Sequence, residues 1–249
     1  MRITVDTDKK ELIYAEGTPQ EKVYPLYEAD ALKALTHIWV KASWNCKYSY
    51  DFEWLGRRII QMPDDIVRQQ ELIWAVKPDV IVETGVAHGG STVFYAGMME
   101  LMGRGKVISI DIEIRKQNRD AIEAHPLFPR ITLIERSSID PKTLKEVKKL
   151  IPPGSKVMVF LDSNHTKTHV AGELEMYSPL VTPSSYIVAA DGVMSILYDV
   201  PRGKPEWAYD NPLEAAREFL QNHPEFELDS TYTRSGVTHI HGGYLRRKP

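Results

Sequence analysis

The sequence predicts an α/β fold, with a mostly parallel sheet of seven strands covered by helices on both faces and a helical extension ahead of it. Three observations carry this. Short β-branched runs recur at Asp79–Glu83, Lys106–Asp111, Ile131–Glu135, Lys156–Asp162 and Tyr186–Asp191. Helical stretches separate them, the pattern of strand–helix–strand crossovers. Several runs are apolar throughout, as strands buried on both sides must be.

From Met1 to about Met62 the spacing gives a possible short strand, a polar stretch near Gly17, and helical periodicity from Tyr27 to Trp44. This is read as an N-terminal extension or lid over residues 1–62, with the catalytic domain at 63–249. The segment Trp44 to Gly56 packs aromatics too densely for a solvated linker; it either covers the core or walls a substrate site. Asp64 is expected to cap a helix through Ile66, Ile73 and Val76 that ends before Pro78. A second helix follows the first strand over Val93–Met102. Beyond Pro212 a helix through Ala215, Phe219 and Leu220 precedes two further candidate strands, Phe226–Leu228 and Val237–Leu245. In the last of these, His239 and His241 alternate onto one face. The Pro- and Gly-rich segment Asp199 to Trp207 reads as a long loop beside the site, suited to a substrate lid.

With 249 residues, 43% hydrophobic and 26% charged, one substantial core is affordable and disorder is excluded. A formal charge of -3 leaves no electrostatic footprint for nucleic acid or an anionic membrane, so a small or neutral substrate is expected. Cys46 is the single cysteine, and Met1 to Asp6 lacks the apolar core of a signal peptide. No run approaches the ~18 apolar residues of a membrane span. A cytoplasmic location is expected.

Among the acids that close these runs are Glu83, Asp111, Asp162 and Asp191. In an open parallel sheet ligands bind at the carboxyl ends of the strands, near the switch in strand order, which sets these acids along one edge. Each taken singly could be a helix cap or turn residue. The first strand runs into Gly85, Gly89 and Gly90 and then Ser91. Glycines allow a sharp turn and a close backbone approach, and the helix start that follows suits a carboxylate or phosphate. The dinucleotide fingerprint Gly-x-Gly-x-x-Gly fails at Ala87, and no Gly-Lys-Ser or Gly-Lys-Thr follows for a phosphate loop. His165 and His169 share a helical face at the spacing of zinc-binding pairs, but no third ligand or His-Glu-x-x-His motif accompanies them. His165 is the better candidate for a general base, with Asp162 competing for that role. His169 is expected to pack or cap within its helix.

Glu83, Gly85 and Gly89 resemble the first motif of Rossmann-like methyltransferases, in which the loop backbone holds the amino acid part of S-adenosylmethionine. In that resemblance Asp111 is the ribose-binding acid, and Ser137 and Ser138 lie where adenine is met, although both serines could equally form an ordinary turn. The segment Val159-Phe160-Leu161-Asp162-Ser163-Asn164-His165-Thr166-Lys167-Thr168-His169-Val170 is more specific. Together with Tyr50, Trp54-Leu55-Gly56, Glu83 to Ser91 and Tyr177-Ser178-Pro179-Leu180-Val181, it closely resembles the cephalosporin hydroxylase family, which includes rhamnosyl O-methyltransferases. The resemblance spans about Tyr48 to Pro205. It implies a Rossmann-like methyltransferase fold and an S-adenosylmethionine-dependent O-methyltransferase. It also implies Mg²⁺ on Asp162 and Asp191, a sugar or natural-product hydroxyl as acceptor, and a homo-oligomer. Ala190 departs from the pair of adjacent acids that relatives commonly carry there. Two acids plus waters could still hold Mg²⁺, which keeps several waters in its shell, or the site could be metal-free. The competing classes are an oxidoreductase, weakened by the missing dinucleotide fingerprint and iron-triad spacing, and a cofactor-binding protein without catalysis.

Overall fold

The computed structural model describes residues 2–249. It opens with an antiparallel meander of β1 (Ile3–Asp6), β2 (Glu11–Tyr14) and β3 (Lys22–Pro25), followed by α1 (Ala29–Asn45). The extension thus contains the expected helix and, ahead of it, three strands where the sequence showed one. Four-residue strands alternate too briefly to register as a period. Leu12 and Leu26 of the meander pack on Ala31 and Ala34 of α1. Farther along the same helix, Val40 packs on Val193 and Leu197 of the catalytic core.

The aromatic segment that follows forms a tight hairpin, β4 (Glu53–Trp54) and β5 (Arg57–Arg58), turned by Leu55 and Gly56, both in the left-handed region. Trp54 sets its ring edge-to-face on Phe94 at 4.9 Å, so part of this segment covers the core. Helix α2 (Pro63–Val76) starts two residues earlier than expected, with Pro63 in its first turn and Met62, not Asp64, at the cap. Proline's fixed φ and missing N–H suit that position, which moves Asp64 and Asp65 into the first turn, where their charge meets the helix dipole.

The central sheet is built from β6 (Val80–Thr84), β7 (Lys106–Asp111), β8 (Ile131–Glu135), β9 (Val157–Leu161), β10 (Tyr186–Ala189), β11 (Phe226–Leu228) and β12 (Tyr244–Arg247). Their spatial order is β11-β12-β10-β9-β6-β7-β8, and all run in one direction except β12, which is antiparallel to both its neighbours. The crossovers are α3 (Gly90–Leu101), α4 (Lys116–Glu123), α5 (Pro141–Leu150) and α6 (Lys167–Tyr177), with α7 (Met194–Leu197) and α8 (Pro212–Asn222) after β10. Strand alternation splits the core into two layers. Ile81, Val107 and Phe160 face Leu72 of α2 and Phe94 of α3. Val82, Ile108 and Val159 face Val147 of α5, Leu174 of α6 and Phe219 of α8. Every residue of β6, β9 and β10 is buried, which is why these runs read as continuously apolar.

The final strand is shorter than expected. It begins at Tyr244, and His239 and His241 lie in the loop before it and share no strand face. The reason is a buried anchor: the Asp65 carboxylate accepts from Thr238 Oγ1 and from the His239 backbone N–H at 2.7 Å, diverting that N–H from any ladder. The other late loop, from Asp199 to Trp207, is seated on the end of α1. Arg202 donates to the Trp44 and Asn45 carbonyls at 3.3 and 3.2 Å, groups that a helix end leaves without partners, and Trp207 packs edge-on against Trp44.

Burial pushes the Asp65 carboxyl up to about 7, against the two hydrogen bonds that favour its charged form. A raised acid binds its proton more tightly folded than unfolded, so its stabilising share is full below about pH 4 and is lost as pH rises toward 7. The stability difference between the native protein and Asp65→Asn should therefore change by a few kcal/mol across that window in urea denaturation. A difference that stays constant with pH would remove this role from Asp65.

Candidate active site

The chain leaves β6 outward through β7 and β8, then returns to place β9 on the opposite side of β6. The carboxyl ends of β6 and β9 are therefore the switch point of the sheet, where connections diverge and leave a crevice. A cavity of about 650 Å³ opens there.

Its floor is the loop after β6. Gly85 takes φ 91°, and a side chain on it would run into the carbonyl oxygen of Asp162 at the end of β9. Gly89 takes φ 84° at the start of α3, and a side chain there would strike Ile122. Between them Ala87 is also left-handed, at φ 45°. That conformation is held from both sides. Asn118 Nδ2 donates to the Ala87 carbonyl at 2.8 Å, and Arg57 Nη2 donates to the His88 carbonyl at 2.5 Å. The N–H groups of Val86 and Ala87 donate to Asp111 Oδ2 at 2.8 and 3.2 Å. Asp111, closing β7, thereby serves the loop with one oxygen while it lines the cavity.

Glu83 does not reach the cavity. It is buried beneath the loop, where its carboxylate accepts from Ser91 Oγ, from Thr92 Oγ1 at 2.6 Å and from Ser109 Oγ at 2.6 Å. Burial raises its pKa, the three hydroxyls oppose that, and the Asp111 charge adds to it. Its bonds tie the first turn of α3 to β6 and β7. Of the loop residues expected at a ligand, Gly85 and Ser91 line the cavity, and Gly89 acts through the backbone turn.

Asp162 and Asp191 follow β9 and β10, with Asp191 held left-handed at φ 55°. Together with His165, each offers one donor atom, and the three atoms lie within 4.8 Å of one another. His165 Nε2 is 3.2 Å from Asp191 Oδ2. Burial, followed by the neighbouring carboxylates of Asp191 and Glu83, pushes Asp162 well above the ordinary carboxylate range. Ser137 and Ser138, after β8, also line the cavity. His169 is not confined to packing: it lines the same cavity, its ring within 3.1 Å of both Ser138 Oγ and Ser163 Oγ.

The sequence reading missed several lining side chains, among them Gln61, Arg58, His88 and Asn164, and left Tyr50 unresolved between core and wall. Tyr50, Arg58 and Gln61 belong to the segment before α2, which no strand-end rule connects to the sheet. Asn164 had a usable signal in its place two residues beyond the acid that follows β9. No residue from Asp199 to Trp207 lines the cavity, so this loop is docked on α1 instead of covering the site.

A seven-stranded, mostly parallel sheet, with a turn clamped over its switch point and an acid at the end of the next strand, defines a Rossmann-like methyltransferase. The model of the rhamnosyl O-methyltransferase/CmcI family matches residues 46–248, and the chain belongs to that family. A rhamnosyl O-methyltransferase of Mycobacterium leprae is 28% identical over 200 residues, 78% of this chain and 82% of that protein. One of Mycobacterium tuberculosis (strain H37Rv) is 28% identical over 141 residues, 55% of this chain and 56% of its own length. Among solved structures, CmcI with Mg and SAM superposes with a TM-score of 0.56 at 20% identity, covering 80% of this chain and 78% of that one, a likeness of fold.

Because a methyl at Gly85 has no space and its φ is hostile to side chains, Gly85→Ala should cost about 3 kcal/mol or more in denaturant unfolding. A loss below about 1 kcal/mol would show that the β6 and β9 ends do not meet as described.

Proposed function

We propose that the cavity aligns the methyl donor S-adenosylmethionine with a hydroxyl of a sugar, glycoside or natural product; the chain is an S-adenosylmethionine-dependent O-methyltransferase. One observation carries the reading. The clamped loop, Asp111 and the Ser137–Ser138 pair line one continuous cavity together with the clustered Asp162, His165 and Asp191. The bound donor supplies a methyl already activated on a sulfonium. What the protein contributes is alignment of the two reactants and removal of the acceptor's proton.

Each residue has a distinct task. The N–H groups at the start of α3 face the donor's carboxylate. Asp111 accepts from the loop at Oδ2 and from the Glu113 N–H at Oδ1, at 3.2 Å, and its remaining lone pairs suit the vicinal ribose hydroxyls, which can both donate to an ionised acid. Ser137 and Ser138 meet adenine. Asp162 and Asp191 suit a divalent cation such as Mg²⁺, whose charge would offset the mutual repulsion that raises Asp162. Such an ion lowers the pKa of a coordinated hydroxyl. Ala190, beside Asp191, adds no carboxylate, and His165 stands within reach of the same position. With Nε2–H donating to Asp191, His165 Nδ1 keeps a lone pair that can accept the acceptor's proton.

Calorimetry with S-adenosylhomocysteine should show binding, and Asp111→Ala should weaken it by about tenfold, the loss of one charge-assisted hydrogen bond. Unchanged affinity would remove the ribose assignment, and no binding by the native protein would overturn the cofactor reading. For the metal, Asp191→Ala should abolish Mn²⁺ binding followed by electron paramagnetic resonance, and methyl transfer that survives exhaustive chelation removes the ion from the mechanism. His165→Asn separates two roles: a base lowers kcat at unchanged metal affinity, whereas a ligand lowers the affinity itself.

A further inference from the structure

Beyond the loops that line the cavity, α6 carries a polar cluster that methyl transfer does not use. Glu173 is fully buried, 0% exposed, and its Oε1 accepts from Ser163 Oγ at 2.6 Å. The same oxygen is 3.4 Å from His169 Nε2. That ring nitrogen also stands 3.1 Å from Ser163 Oγ and 3.1 Å from Ser138 Oγ. A single imidazole nitrogen thus faces a carboxylate oxygen and two hydroxyls.

The directions of these hydrogen bonds follow from counting hydrogens. A carboxylate only accepts, so the one hydrogen of Ser163 is committed to Glu173 and cannot also go to His169. Were Nε2 unprotonated, its lone pair would face those of Glu173 Oε1 and Ser163 Oγ at once, and a hydrogen from Ser138 would offset only part of that repulsion beside a buried carboxylate. Nε2 therefore carries a hydrogen, and Ser138 Oγ receives from it. The Ser138 hydroxyl hydrogen is then released from the cluster. Among the described residues no other acceptor meets it, and Ser138 lines the cavity. The residue itself is fixed: it is 5% exposed, and the buried Tyr177 hydroxyl donates to its carbonyl at 2.8 Å.

We propose that Glu173, Ser163 and His169 are positioning residues that turn the Ser138 hydroxyl into a dedicated donor to one ring nitrogen of the adenine base, making this end of the cavity selective for that purine. The inference rests on the cofactor reading above. It deepens that reading by assigning the base specificity to a relay that begins on a buried acid of α6, out of contact with the ligand.

The test is the binding profile of S-adenosylhomocysteine and its 1-deaza, 3-deaza and 7-deaza analogues, in each of which one ring acceptor is replaced by C–H. The native protein should bind one of the three about fivefold more weakly than the parent, the value of one neutral hydrogen bond. Ser138→Ala should erase that discrimination while still binding the parent. His169→Phe, which keeps the ring but not its donor, should erase most of it, and His169→Gln, which restores an N–H, should recover it. A merely structural role would weaken all four ligands alike. Because a substituted α6 can fail to fold, the ¹⁵N shifts of the His169 ring in the native protein bound to S-adenosylhomocysteine give a second measurement, with Nε2 expected to be protonated. A flat native profile, discrimination that survives His169→Phe, or an unprotonated Nε2 overturns the proposal. Failure of S-adenosylhomocysteine itself to bind would instead overturn the cofactor reading.

Discussion

The carbonyl of Asp162 presses against the Cα of Gly85, and no side chain fits between them. This contact is where the chain leaving β6 passes against the end of the neighbouring parallel strand β9, and the site is arranged around it. It lets the loop after β6 turn under the cavity instead of standing clear of it, and it brings Asp162 to within reach of Asp191 and His165. The same junction is stitched by the Asp162 N–H donating to the Thr84 carbonyl at 2.9 Å. Backbone approaches of this kind cannot be made by trimming a side chain, because every residue other than glycine adds a Cβ.

Four acids lie at or just beyond the carboxyl ends of β6, β7, β9 and β10, and the structure gives them unlike tasks. Glu83 is buried and spends its lone pairs on three hydroxyls, which fasten α3 to the sheet. Asp111 divides its carboxylate between loop N–H groups and the cavity. Asp162 and Asp191 face one another closely enough that one raises the proton affinity of the other. Equivalent positions in the topology therefore give a structural anchor, a loop brace that also lines the cavity, and a close pair of acids. The deciding variable is how much solvent and how many donors each carboxylate meets.

The N-terminal extension contributes more than cover. Arg57, on its hairpin, holds the His88 carbonyl of the loop, and Tyr50, Arg58 and Gln61 line the cavity. Helix α1 in turn packs on Val193 and Leu197 just beyond Asp191, and Arg202 ties the following loop to its end. Both edges of the site, at the Gly85–Ser91 loop and at Asp191, are thus braced by residues that precede the sheet in the chain.

Much of this was legible from the sequence because it is local. β-branched runs form strands wherever they pack, glycines mark the turn that follows the first of them, and an acid directly after a parallel strand must lie at the carboxyl edge. The strands, the loop and the positions of Asp111, Asp162 and Asp191 follow from such short-range rules. The roles of particular side chains do not. That Glu83 turns inward, that His239 and His241 lie in a loop anchored by Asp65, and that His169 joins Ser138 and Ser163 are contacts between residues far apart in sequence. Arg57, Gln61 and Glu173 owe their importance to what the folded chain sets beside them. Sequence determined which backbone could bend and where charge would collect. Only the tertiary structure decided which of those charges are buried and which groups donate to them, because burial and hydrogen bonding are properties of a neighbourhood that packing creates.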